Sequence, residues 1–401
     1  MAKSISNKDK QLFLKRALLA ADWYVNSQLK LDRVWKGDNF RYLYYYFMPK
    51  KLWVPGLNWT HGRALFVLSE AYKLTKDTKY TDSMNIAMRF CKALQPLDPY
   101  YQVTYGSIRE FIPQSDVGGV LDGAQLASGF LMYHKVTGCP DALRRGRAFC
   151  DFMARNWRKD VGLPSFANYF PEKLIYLTPD QPWNCIHNAS AIPFWHLYCI
   201  TGEGKYVPYL LDSADRIIKC QRDDGGIYFG EDITKVKKLE FNHHWGLGDT
   251  IEEKCLLRND DGIVTVVLAA YKVSNDEKYL NAMVRYADWT IKNEPHERPY
   301  NAFGIQAANV LDVGKVSGRK YYTEWVMDNV HKHCLKLQAL KTGDPMAEGG
   351  FRGEDEEGKA GIFGGDALDY VPNRNTCYMA GLLYRLSGKG TGAGFSVFGL
   401  G

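Results

Sequence analysis

The chain has no run of eighteen apolar residues, so no membrane-spanning helix is expected. It has no basic run of five or more, and its formal net charge is only +6. Nucleic acid is therefore not expected as the main partner, whereas an acidic substrate is compatible with the balance. It has no Cys-x-x-Cys and no His-Glu-x-x-His, so no metal site is expected, and no cofactor. The cysteines number nine, an odd count without framework spacing, which points to free buried thiols in a reducing compartment. The opening MAKSISNKDKQLFLKRALLAADWYV starts polar and becomes an amphipathic helix, with no apolar leader core or cleavage site. A cytoplasmic protein is expected, or the mature form of an exported one.

What is present is a weak repeat. Of the 401 residues 46% are hydrophobic and 14% aromatic, with 26 Tyr and 10 Trp. Such content suits both a packed helical core and a wet cleft that stacks sugars. Six units start at Leu57, Gly119, His187, Arg258, Asn301 and Asn373. Each opens polar and continues as a helix that is apolar all round and rich in small residues. A short turn follows (TKDTKY, TGCPDA, TGEGKY, SNDEKY, SGRKYY), and then, in the first five units, a helix with a wet face. Helices apolar on every side belong inside, and amphipathic ones outside.

The sixth unit lacks its second helix and runs into a Gly-rich tail, 389–401. An unpaired amphipathic helix over 9–29 supplies the missing partner. The spacing therefore predicts an all-α fold: one closed (α/α)6 barrel over 1–401, with long loops at 96–118, 158–186, 223–257 and 341–372. An open helical solenoid is the alternative, but its units repeat more regularly.

In a closed ring the residues before each inner helix meet at one rim, where loops carry function on a rigid scaffold. Asp122, Asp260 and Asp261 are the candidate acids, facing one another from the second and fourth hairpins, and His187 joins them as a catalytic candidate. A glycosidase needs two such carboxyl groups across the scissile bond. Candidate substrate contacts are Trp59, His61, Arg63, Asp116, Asn188, His243, His244, Arg258, Arg352, Arg374 and Tyr378. The arginines suit a carboxylate, which a guanidinium grips in bidentate fashion. The aromatics suit sugar faces. Asp and Asn before a helix also serve as N-caps, so capping competes with catalysis at each position.

The hairpin count, the inner-helix style and the rim acids resemble the six-hairpin glycosidase superfamily, and within it the unsaturated uronyl hydrolases and β-glucuronidases. The resemblance implies a glycoside hydrolase that removes a uronic acid from an acidic oligosaccharide, with Asp122 and Asp260 or Asp261 as the acid/base pair. It leaves open a polysaccharide lyase on the same toroid, or a sugar epimerase using His187 with His244. The stretch QRDDGG from Gln221 is like a terpene-cyclase turn, but it occurs once and the rim is polar. A binding-only barrel would lack any rim acid with a raised pKa. A homodimer is compatible with the sequence.

Overall fold

The computed structural model describes residues 5–30, 40–100, 102, 104–115, 118–164, the main chain of 168–169, 185–230, 256, 262–293, 303–353, 363–391 and 395–400. Six helices form the inner ring. They are α2 (Asn58–Thr75), α4 (Val120–Thr137), α6 (Ile192–Thr201), α8 (Ile263–Ser274), α10 (Phe303–Ser317) and α12 (Asn373–Leu386). Between them lie the outer helices α3 (Thr78–Ala93), α5 (Pro140–Arg155), α7 (Val207–Lys219), α9 (Glu277–Asn293) and α11 (Tyr321–Asn329). The sixth outer position belongs to α1 (Asn7–Ser27), which packs on α12 and α2, while α12 packs on α2.

That contact closes the ring. Tyr24 Oη donates to the Asn373 carbonyl (3.0 Å) and Trp23 Nε1 to the Met346 carbonyl (2.8 Å). The expected (α/α)6 barrel is the fold observed. No helix among the described residues is long and apolar enough to cross a membrane.

Small residues set the inner spacing. A Cβ on Gly62 would lie 2.3 Å from the Gln125 carbonyl oxygen, and one on Gly129 would lie 2.9 Å from the Gly62 Cα. The α2 and α4 backbones therefore touch, and no larger residue fits at either crossing.

The inner helices end alike. Tyr72-Lys73-Leu74-Thr75-Lys76, His134-Lys135-Val136-Thr137-Gly138 and Tyr198-Cys199-Ile200-Thr201-Gly202 occupy one register. So do Tyr271-Lys272-Val273-Ser274-Asn275, Gly314-Lys315-Val316-Ser317-Gly318 and Tyr384-Arg385-Leu386-Ser387-Gly388. The fifth residue of every set is left-handed, with φ between 55° and 73°, which stops the helix. The hydroxyl of Thr137 donates to the Tyr133 carbonyl (2.7 Å) and accepts from the Cys139 amide (3.3 Å), so one side chain joins the end of one helix to the start of the next. Thr75, Thr201 and Ser274 repeat both bonds. The cations Lys73, Lys135, Lys272, Lys315 and Arg385 sit where carbonyls converge and complement the helix dipoles.

The Gly-rich tail packs against the barrel where it is described. Phe395, Val397 and Leu400 are buried at this lower end. Arg385 grips Asp312 in bidentate fashion (3.1 and 3.0 Å) and donates to the Phe395 carbonyl (2.5 Å), while Ser396 Oγ donates to Asp312 (2.8 Å). A buried ion pair and two further bonds thus hold the segment in place.

At the opposite end the chain is irregular. A hairpin of β1 (Leu43–Phe47) and β2 (Leu52–Pro55) pairs antiparallel with β7 (Tyr370–Pro372), and the two-residue β3 (Gly118–Gly119) pairs with the main chain of 168–169. The third inner helix also departs from its expected start at His187. A 3-10 turn over Cys185–Ala191 precedes α6, because Pro193 has no N–H to extend α-helical bonding backward.

Candidate functional site

Asp122 lies in the first turn of α4 and is partly exposed at the mouth. Beside it is Glu110, an acid from the preceding loop that is only 8% exposed. Three contacts fix Glu110. Its carbonyl accepts from the Asn58 amide (3.0 Å), and its Oε2 accepts from the Gly119 amide (3.1 Å) and from Asn58 Nδ2 (3.4 Å). The start of α2 and the start of α4 thus hold one carboxyl group between them.

Burial, then the charge of Asp122 and a hydrogen bond to it, push the Glu110 carboxyl well above the usual carboxylate range. Two carboxyl groups this close share a proton rather than both ionise. A binding-only barrel was expected to lack such an acid, and this rim has one.

The other rim candidates divide by exposure. His187 is half-buried in the 3-10 turn before α6. Burial lowers its pKa to about 4, so the imidazole is neutral at pH 7, and its Nδ1 has no hydrogen-bond partner. Arg352 is also half-buried and lies beside the first turn of α12.

The remaining described candidates, Trp59, His61, Arg63, Asn188, Arg374 and Tyr378, are buried. Trp59 is taken up by arginines: the Arg63 guanidinium carbon lies 4.1 Å from its ring centre and that of Arg374 5.4 Å. Arg63 has no exposed surface. Its Nε donates to Gln125 Oε1 (2.8 Å), and Tyr378 and Phe395 cover it at 5.0 and 5.8 Å. Tyr378 and Arg374 are buried with it.

His61 is core. Its Nδ1 donates to the Leu57 carbonyl (2.6 Å) and its Nε2 accepts from the Tyr42 amide (3.2 Å). Burial lowers its pKa to about 3. Asn188 is structural as well, since its Nδ2 donates to the Gly162 carbonyl (2.8 Å). Trp59 and Arg374 lie in the first turns of α2 and α12, and Arg63 and Tyr378 in the second. Asp116, His243, His244, Arg258, Asp260 and Asp261 lie outside the described residues.

Sequence reasoning missed Glu110. The available signal was a single acid set among apolar residues, Ile108-Arg109-Glu110-Phe111-Ile112, in a loop leading to an inner helix. An acid in such company is either solvated or held, and here it is held.

No protein-family profile matches the chain, and no curated protein matches it in sequence. Solved structures do match. Cellobiose 2-epimerase from Bacillus thermoamylovorans B4167 superposes with a TM-score of 0.64 at 11% identity, over 92% of this chain and 98% of that one. D-mannose isomerase gives 0.66 at 11% identity, over 95% and 97%. An inactive variant of the α-1,6-mannanase of Salegentibacter sp. HEL1_6 bears two aspartate-to-asparagine replacements and is complexed with α-1,6-mannotriose. It gives 0.61 at 12% identity, over 94% and 98%. Identities this low show a common fold, the (α/α)6 barrel, over nearly the whole of each chain.

Proposed function

We propose that this chain is a glycoside hydrolase that releases a uronic acid residue from an acidic oligosaccharide. Asp122 is the proton donor, and Glu110 is the buried partner that tunes it. The carrying observation is the Glu110–Asp122 pair at the mouth, with Glu110 held well above the usual carboxylate range. A pair that shares a proton can deliver it to a glycosidic oxygen, and Asp122 is the partly exposed member.

The second carboxylate comes from the fourth hairpin, Asp260 or Asp261, and activates water or attacks the sugar. The mannanase variant that lost two aspartates and is inactive supports carboxylate chemistry on this fold. Five inner helices and a 3-10 turn begin at this end, so their partial positive charges favour an anionic sugar.

His187 supports a second reading. A neutral, half-buried imidazole suits a base that removes a proton beside a carbonyl or carboxylate, as epimerisation and elimination require. Uronate-containing oligosaccharides separate the readings. Hydrolysis yields reducing ends without an unsaturated-uronate chromophore. Appearance of that chromophore means elimination, and an epimer without chain cleavage means the His187 reading. Either result overturns the hydrolase.

A further inference from the structure

Resting on the uronyl-hydrolase reading, we propose that Arg352 anchors the carboxylate of the substrate sugar.

Its backbone is tied down on both sides. The Arg352 amide donates to the Leu337 carbonyl (2.9 Å), and its carbonyl accepts from Asn375 Nδ2 (2.6 Å) in the first turn of α12. The preceding Phe351 amide donates to Thr376 Oγ1 (3.0 Å), and the following Gly353 amide donates to the Tyr370 carbonyl (3.2 Å) in β7. Four hydrogen bonds therefore fix this residue and its two neighbours, three of them to α12 and β7 at the mouth.

The side chain is treated differently. It is half-buried, its Nε has no hydrogen-bond partner, and among the described residues no carboxylate pairs with it. The contrast with other arginines is direct. Arg385 holds Asp312, Arg145 holds Asp141, and Arg63 is bound to Gln125 under three aromatic rings.

A half-buried cation with no counter-charge among the described residues is costly unless a ligand supplies one. A rigidly mounted guanidinium at the mouth of a sugar site suits a planar two-oxygen anion, which it meets through two parallel N–H bonds. The ligand class is the carboxylate of a hexuronic acid. Neutral hexoses offer no such group.

The test compares a uronyl glycoside with its uronamide, which keeps the shape and removes the charge. Both are assayed with the wild type, Arg352→Lys and Arg352→Met. Arg352→Met should lower the acid-to-amide ratio of kcat/KM by about 10–100-fold, mostly through KM, as expected for loss of charged hydrogen bonds. Arg352→Lys should recover part of that ratio. Calorimetric binding of the free uronic acid should weaken in parallel, with thermal unfolding confirming that each variant is folded.

A wild type that cleaves acid and amide alike, or an Arg352→Met ratio equal to wild type, overturns the anchor and leaves hydrolysis standing. A wild type that cleaves neither substrate overturns the hydrolase reading itself. If Arg352→Met does not fold, the uronic acid's affinity for Arg352→Lys decides: affinity equal to wild type overturns the anchor.

Discussion

At the lower end of the barrel the inner helices stop in one way: a residue in the left-handed region, a hydroxyl one position before it, and in five of six sets a cation two positions earlier. At the mouth the same helices begin in different ways. One starts with Asn58 against Glu110, one with Asp122 beside two glycines, one through a 3-10 turn carrying His187, and one with Asn373 under β7. What recurs around a ring answers a need that recurs, namely ending a helix and starting its neighbour. What occurs once answers a need met at a single place. The contrast separates architecture from chemistry without reference to any relative.

The largest effect should come from the mouth. Asp122→Asn should reduce turnover by about two to four orders of magnitude while leaving the melting temperature close to wild type. Equal losses in both would make Asp122 a structural cap and break the contrast.

The strongest lower-end change is Asp312→Asn. It leaves the Arg385 guanidinium, 6% exposed, without its charge partner and should cost about 3–5 kcal/mol in denaturant unfolding. KM of the folded fraction should not move, and a shifted KM would show that the two ends communicate.

Glu110→Gln sharpens the contrast through pH. The raised pKa means that the folded chain binds more protons than the unfolded one above 4.5, the ordinary glutamate value. Wild-type stability therefore falls as pH climbs from there through the raised value. The variant should lose that downward slope, as read by unfolding at successive pH values, and the pH profile of kcat should change with it. A variant whose stability and rate follow pH as the wild type does would remove Glu110 from the pair.

The smallest effect belongs to one copy of the repeated turn. Thr137→Val should cost about 1 kcal/mol by equilibrium denaturation, with no change in kcat.

The architecture was legible because it rests on periodic patterning: helices apolar all round, helices with one wet face, and five similar turns. The orphan first helix supplied the closure. The site was less legible. When an inner helix is apolar on every side, nothing in its sequence says which way its first two turns face. Trp59, Arg63 and Tyr378 thus read as cleft residues, and all three are buried. Glu110 escaped notice because its position is set by Asn58 and Gly119, fifty-two and nine residues away in the chain. The packing of the tail was not read from its Gly-rich sequence, because Asp312 and Glu70, which hold it, lie far away in the chain. Glu70 accepts from the Thr391 amide and hydroxyl.

Closure by the first helix has a consequence for synthesis. Helix α1 is made long before its neighbour α12, which follows more than 340 residues later. Through most of translation the side chains of Phe13 and Trp23 lack their late neighbours His331 and Met346, although both are fully buried once the barrel is complete. The nascent chain therefore carries an exposed apolar stripe until the last hairpin is made, a target for a chaperone that binds such stripes.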